Sequence, residues 1–322
     1  MDFEASRTGS QTAGLRDLVE ALRDRAYQFV AITPATHRTI NARTENVWAR
    51  GMRDVFGWSR PFTTPVLDPG LFAFAQAAGV LAPLPGQAPK AWRSLVRAAT
   101  LHDMIFLHSA FPTEAPDAVF FGPDTYRFAA AIALHLRESS HDITRAIDIG
   151  AGAGAGGIII ARAFPAAEII LSDINQAALA VAQVNALSAG VTNARCRLAD
   201  LFDGIDGAFD LIVANPPYLV DPLARAYRHG GGPLGAGLSI RIVKESLPRL
   251  SPSGSLVLYT GSAIVDGEDK FLASITQLLR NTGCIWDYRE ADPDVFGEEM
   301  SVGPYRHADR IAAVVLTVQR QP

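Results

Sequence analysis

The sequence is poor in cysteine, carries no strongly charged tail and has no long apolar run. Its two cysteines, Cys196 and Cys284, stand far apart without a Cys or His partner at metal-ligand spacing. That argues against a disulfide framework and against a zinc or other metal site, and it fits a reducing cytoplasm. Net charge is only −4, with acids and bases interspersed, so non-specific attachment to a polyanion is not indicated. The longest apolar run, near Ile158 to Ala161, falls far short of the ~20 residues that a bilayer-crossing helix needs, so no membrane partner is expected. Charges are scattered from Asp2 to Arg25 and leave no h-region, so no signal peptide is indicated. What is abundant is apolar side chain, 48% of all residues, enough for a large core and, at 322 residues, for two domains.

The apolar pattern Leu15, Leu18, Val19, Leu22, Ala26 predicts a helix over about Gln11 to Ile32. Prolines and glycines make the stretch from Pro61 to Pro89 loop-rich, with one short helix over Leu71 to Gly79. The following segment, from Trp92 to Pro112, mixes the two periodicities and fits neither; its His102 and His108 read as core or surface histidines. Pro123 and Asp124 open a helix with Phe128, Ala131, Ile132 and His135 on one face and Asp124 or Thr125 as cap. A boundary here divides the chain into residues 1–118, a smaller and mostly helical substrate-recognition or lid domain, and residues 119–322.

Beyond it, strand-like runs at Ala146–Ile149, Glu168–Ser172, Arg195–Ala199, Leu211–Ala214 and Ser255–Tyr259 alternate with helical patterns at Gly156–Phe164, Gln176–Ser188, Leu238–Leu250 and Gly267–Arg280. This predicts an α/β fold, a doubly wound and mainly parallel sheet with helices on both faces. The last two runs, "CIWDYRE" and "RIAAVVLTV", have no helix between them and should pair antiparallel.

The first of these strands runs into "DIGAGAGAGG". Gly152, Gly154 and Gly157 satisfy G-x-G-x-x-G, a weak signal for NAD when it stands alone. Asp148 would repel a pyrophosphate and attract a cationic amino-acid group, which favours S-adenosylmethionine. Asp173 closes the next strand, where its carboxylate can accept both ribose hydroxyls. Asp200, with Leu201 beside it, ends the third near the adenine edge. The fourth strand ends in Asn215, Pro216, Pro217 and Tyr218.

From about Val119 onward, these motifs in this order resemble the class I S-adenosylmethionine-dependent methyltransferases of the NPPY type, and within them the HemK-type release-factor glutamine methyltransferases and related small-domain enzymes. The resemblance implies a seven-stranded Rossmann-like sheet and S-adenosylmethionine as cofactor. It implies that Asp148, Gly150, Gly152 and Gly154 form the cofactor loop, Asp173 the ribose acid and Asp200 the adenine-side acid. It also implies that Asn215 to Tyr218 hold a planar nitrogen, with Asn215 and the Pro216 carbonyl accepting its two hydrogens, Pro217 stiffening the turn and Tyr218 stacking on the acceptor. Phe121 and Tyr126 would line the near side of the pocket. The glycines and arginines of "ARAYRHGGGPLGAGLSI" read either as a closing flap or as a solvated connection.

The acceptor implied first is a protein glutamine in an exposed loop. An adenine N6 or guanine N2 in nucleic acid, a small-molecule amine, or a lyase-type reaction of S-adenosylmethionine stays open beside it. Two readings from other classes, an NAD-dependent oxidoreductase and a non-catalytic cofactor-binding module, leave the intact Asn215 and Tyr218 without a task. No oligomeric state follows from the sequence.

Overall fold

A computed structural model describes residues 2–86, 90–139, 141–301 and 303–322, with side chains of the first helix described from Thr12 onward. Pro89, the end of the predicted loop-rich stretch, lies outside the described residues.

The N-terminal region opens with helices α1 (Asp2–Asp24), α2 (Pro34–Asn41) and α3 (Met52–Phe56). Leu18, Val19 and Leu22 of α1 are buried as predicted, but the helix ends before Ala26, which takes a left-handed φ of 52° and is exposed. After β1 (Phe62–Thr63) and α4 (Pro69–Ala77) come β2 (Leu81–Leu84), β3 (Ala91–Ser94), β4 (Val96–Leu101) and β5 (Met104–Ser109). β1, β3 and β2 form a three-stranded antiparallel sheet, and β4 and β5 a hairpin with His102 in its turn. The helical expectation therefore covers only part of this region. β5 is buried at five consecutive positions, Met104 to His108, because both faces of the hairpin are covered; the alternation that signals a strand is lost.

The remaining chain forms one sheet from β6 (Arg145–Ile149), β7 (Glu168–Asp173), β8 (Ala194–Leu198), β9 (Phe209–Ala214), β10 (Leu250–Val265), a two-residue β11 (Glu268–Asp269), β12 (Ile285–Asp292) and β13 (Arg310–Gln319). Seven strands run in the order β12-β13-β10-β9-β6-β7-β8, with β11 paired to the end of β10. The five from β8 to β10 are parallel, and β13 lies antiparallel to both β10 and β12, as the missing crossover helix required. Successive residues alternate between two apolar layers. Leu211 and Val213 face α5 (Pro123–Glu138), α6 (Ala155–Ala163) and α7 (Gln176–Ser188); Ile212 and Ala214 face α8 (Gly237–Ser246) and α9 (Lys270–Leu279). Among the described residues, no helix is long and apolar enough to cross a membrane.

The N-terminal region packs on the α5–α7 side and shares its core, with Leu101, Met104 and Phe106 in one cluster with Phe128 and Ile158. Asn185 of α7 pairs with the β5 backbone like a neighbouring strand. Its Oδ1 accepts the Leu107 N–H at 2.8 Å, and its Nδ2 donates to the Leu107 carbonyl at 3.0 Å and to the Ala153 carbonyl of the glycine loop at 2.9 Å. Arg162 clamps Asp103 through two bonds of 2.6 and 2.9 Å.

Candidate active site

Chain order reverses at β6: β7 and β8 follow on one side, and β9 returns on the other. Such a switch opens a crevice beyond the carboxyl ends of the strands. Here it is a solvent-open cleft of about 1060 Å³, lined by the loop after β6, Asp173, Asp200, Leu201 and Asn215 to Pro217.

Asp148 is only 1% exposed and accepts the Gly157 N–H at 2.8 Å. Burial, reinforced by the nearby Asp173 charge and opposed by the Gly157 N–H, pushes its pKa up to about 7. Gly157 is glycine because a Cβ there would lie 2.1 Å from Leu171. Gly150 and Gly152 differ. Both have a left-handed φ, +65° and +55°, and a Cβ would meet nothing closer than 4.0 Å, so each leaves open space at the cleft wall. Gly154 (φ +85°) caps α6 and packs on Ala182; it is not part of the lining.

Asp173 Oδ1 accepts the Asn175 N–H at 2.8 Å and Oδ2 the Gly152 N–H at 2.9 Å. Burial raises its pKa against these bonds, and no cation pairs with it among the described residues. A half-buried carboxylate with spare lone pairs suits two hydroxyl donors. Asp200 lines the cleft too, but both its oxygens accept from Arg241 Nη1 at 2.9 Å, so its side chain is already engaged. Leu201 lies beneath it with φ +53°, its carbonyl held by Ser172 Oγ at 3.0 Å.

A second pocket of about 510 Å³ adjoins the first, and the two share Phe120, Asn215, Pro216, Pro217 and Tyr227 as lining. The side chain of Asn215 makes no hydrogen bond among the described residues and lines both. Tyr218 is almost buried. Its hydroxyl donates to Asp124 Oδ2 at 2.8 Å, and one ring face lies where a Cβ on Gly261 would be 2.1 Å away. Asp124 Oδ1 accepts from Tyr259 at 2.8 Å and from Arg127 at 3.2 Å, and Arg127 reaches Asp292 at 2.5 Å. Asp124 is therefore no helix cap: Gly122 takes the cap position, its N–H bonded to Thr125 Oγ1. Burial raises the Asp124 pKa while the two tyrosine hydroxyls and Arg127 oppose the rise.

Phe121 and Tyr126 do not line the cleft. Phe121 is 1% exposed and stacks on His108, and Tyr126 accepts the Ala31 N–H at 2.9 Å; both face the N-terminal region. Their neighbours Phe120 and Thr125 line the cleft instead, because the entry into α5 turns alternate side chains to opposite sides. The segment after Tyr218 is neither a loose flap nor a solvated connection. Asp221 is buried and bound by Arg225 at 2.6 and 2.9 Å; Arg228 pairs with Glu299; Tyr305 holds the Val220 N–H at 2.9 Å. A Cβ on Gly235 would lie 2.0 Å from the Tyr218 carbonyl oxygen, and one on Gly230 would lie 2.6 Å from that of Pro217.

Sequence reasoning missed Asp124, Tyr259 and Gly261. Asp124 looks like an ordinary helix opener and Tyr259 like an ordinary core residue, and their partners are about a hundred residues away.

Residues 127–265 match the profile of the methyltransferase small domain. Over 141 residues the chain is 32% identical to a release factor glutamine methyltransferase of Rhodopirellula baltica, covering 39% of this chain and 47% of that protein. Over 131 residues it is 34% identical to a ribosomal protein uL3 glutamine methyltransferase of Neisseria meningitidis, covering 37% and 43%. The chain thus spans just under half the length of these relatives. Among solved structures, the T. thermophilus 16S rRNA N2 G1207 methyltransferase, in complex with AdoMet and guanosine, is similar at 18% identity and a TM-score of 0.46, over 81% of this chain and 64% of that one.

Proposed function

We propose, on the premise that residues 127–265 are a methyltransferase small domain of the HemK-like class I type, that the protein transfers a methyl group from S-adenosylmethionine to a planar nitrogen, the side-chain amide of a protein glutamine. The observation that carries this reading is the shared wall. Asn215, Pro216 and Pro217 stand between a cleft that suits a nucleoside and a smaller pocket on their other side.

The residues present fit the cofactor. Gly150 and Gly152 leave the loop wall free of side chains, and Asp173 offers a carboxylate to a ribose diol. Asp148 offers a buried negative charge whose pKa a cationic amino group would lower again. S-Adenosylmethionine, when bound, supplies a methyl group already activated on a sulfonium centre.

The chain's own task is then to prepare the nitrogen. An amide nitrogen is a weak nucleophile because its lone pair is delocalised into the carbonyl. Asn215 Oδ1, free of a partner among the described residues, and the Pro216 carbonyl accept its two hydrogens and favour the pyramidal form that attacks. This is stabilisation by acceptors fixed in advance. Tyr218 anchors the turn from below through Asp124, Tyr259 and Gly261, so the acceptors do not yield when the substrate arrives. Tyr218 thus anchors the turn through its hydroxyl and one ring face while still lining the smaller pocket, which leaves it able to stack on the acceptor.

The test is to incubate the protein with methyl-labelled S-adenosylmethionine and, separately, a peptide-chain release factor, ribosomal protein uL3 and total RNA, followed by amino-acid and nucleoside analysis. Labelled N5-methylglutamine from one of the proteins, lost in Asn215→Ala, is expected. Label in a methylated nucleobase would replace the protein acceptor with nucleic acid, and no transfer to any of the three would overturn the macromolecular reading.

A further inference from the structure

We propose that the N-terminal region holds a small inorganic anion of halide size, bound to Arg97 beside His108. The site is separate from the cleft, and Arg97 lines neither of the two pockets described above.

Arg97 and His108 stand directly opposite each other in the β4–β5 hairpin, so their side chains share one face. Arg97 is 5% exposed. Its Nε donates to the Ser109 carbonyl at 3.1 Å, while Nη1 and Nη2 have no acceptor, and no carboxylate pairs with it among the described residues. His108 is 1% exposed, and neither ring nitrogen has a hydrogen-bond partner among the described residues. His37 is fully buried and stacked on Phe111; its Nε2 contacts the Trp58 carbonyl at 2.8 Å and its Nδ1 has no partner.

Two phenols complete the surroundings. Tyr27 donates to the Ala98 carbonyl at 2.9 Å, and Tyr126 already accepts from Ala31, so its own hydrogen has no protein acceptor. Two further cations face this region, Arg53 toward Tyr27 and Arg60 toward His37, and Arg60 is paired with Asp54 at 2.9 Å. Arg97 Nη1 and Nη2 and the Tyr126 hydroxyl are donors without acceptors among the described residues; a neutral His108 adds one further donor, while His37, whose Nε2 meets a carbonyl, keeps its lone pair on Nδ1, and the Arg97 charge has no negative partner there. Burial, with the Arg97 charge adding to it, pushes both histidines below their ordinary pKa, and burial pushes Arg97 itself down to about 10.

A guanidinium out of water is costly unless an opposite charge meets it. Water can satisfy the hydrogen bonds but not the charge. Exposed by 5% or less, Arg97, His108 and His37 offer no opening through which an organic body carrying a carboxylate or phosphate could extend, so the class proposed is a compact inorganic ion.

The full chain is melted at constant ionic strength in sodium chloride and in sodium gluconate. Wild type should melt about 3–6 °C higher in chloride, as a site saturated well above its dissociation constant implies. Arg97→Met should lose that difference, while Arg93→Met on the neighbouring strand, whose side chain is exposed, should keep it. Equal melting of wild type in the two salts, or an unchanged chloride effect in Arg97→Met, overturns the proposal. Should Arg97→Met not fold, wild-type crystals in bromide decide. An anomalous peak in contact with Arg97 Nη at millimolar bromide supports the site, and its absence, or an adventitious ion seen only at molar bromide, sinks it.

Discussion

Residues 150–157 and residues 230–237 each contain five glycines, yet the two stretches make room for different occupants. In the first, Gly150 and Gly152 face empty space, and what they spare is volume for a ligand. In the second, Gly230 and Gly235 face the carbonyls of Pro217 and Tyr218 at distances no Cβ can occupy, and what they spare is volume for the protein's own backbone. One glycine-rich run is therefore a binding surface and the other a clamp. Composition alone does not separate them, because flexibility and close approach demand the same residue.

Substitution should break the two stretches differently. Gly235→Ala combines a left-handed φ with a Cβ 2.0 Å from a carbonyl oxygen, and should cost about 3 kcal/mol or more of unfolding free energy in a denaturant titration. Gly150→Ala should cost only about 1 kcal/mol, the strain of the backbone alone, but weaken S-adenosylmethionine binding in calorimetry. Comparable destabilisation by both would erase the distinction.

Next in size is Asn215→Ala in the shared wall, expected to lower kcat about 100-fold while cofactor affinity stays within about twofold, as for removal of a single fixed polar group at a reacting centre. A parallel loss of cofactor affinity would place Asn215 on the binding side of the wall instead.

Asp148 gives the cleft a pH signature near neutrality. Its folded pKa, about 7, lies above the unfolded carboxylate value, so the ligand-free fold binds the proton more tightly. That stability is present in full below about pH 4 and is lost as pH rises through 7. Between pH 5 and 7, wild type should lose about 2 kcal/mol relative to Asp148→Asn, which keeps an acceptor for Gly157 and does not titrate. Parallel profiles for the two proteins would show the group to be ordinary.

The smallest effect belongs to the clamp's foundation. Tyr259→Phe removes one donor from Asp124 and should cost about 1 kcal/mol, read by thermal or chemical denaturation, with the cofactor affinity unchanged.

Much of this arrangement was legible in advance because it rests on local pattern. The α7 helix spans the predicted Gln176 to Ser188, the four parallel strands flanking the cleft lie within a residue or two of their predicted places, and the antiparallel final pair follows from a missing helix. Illegible features depend on distant partners. The β4–β5 hairpin hides its periodicity because Asn185 and α7 cover a face that an isolated hairpin would leave wet. Asp124 reads as a helix opener because nothing local shows that Tyr218 and Tyr259 will meet there. The second glycine run reads as a flap or a solvated connection until the carbonyls it admits are known.

The anchoring of Tyr218 has a geometric consequence for whatever carries the reacting nitrogen. With the ring seated on Gly261, the hydroxyl held by Asp124 and the next loop closed over its backbone, the floor of the smaller pocket is immobile. On the proposed function, the acceptor then does the adjusting: it brings its nitrogen to groups already set in place, and what is selected is the fit of the group entering the pocket of about 510 Å³, whatever the mass of the molecule that carries it.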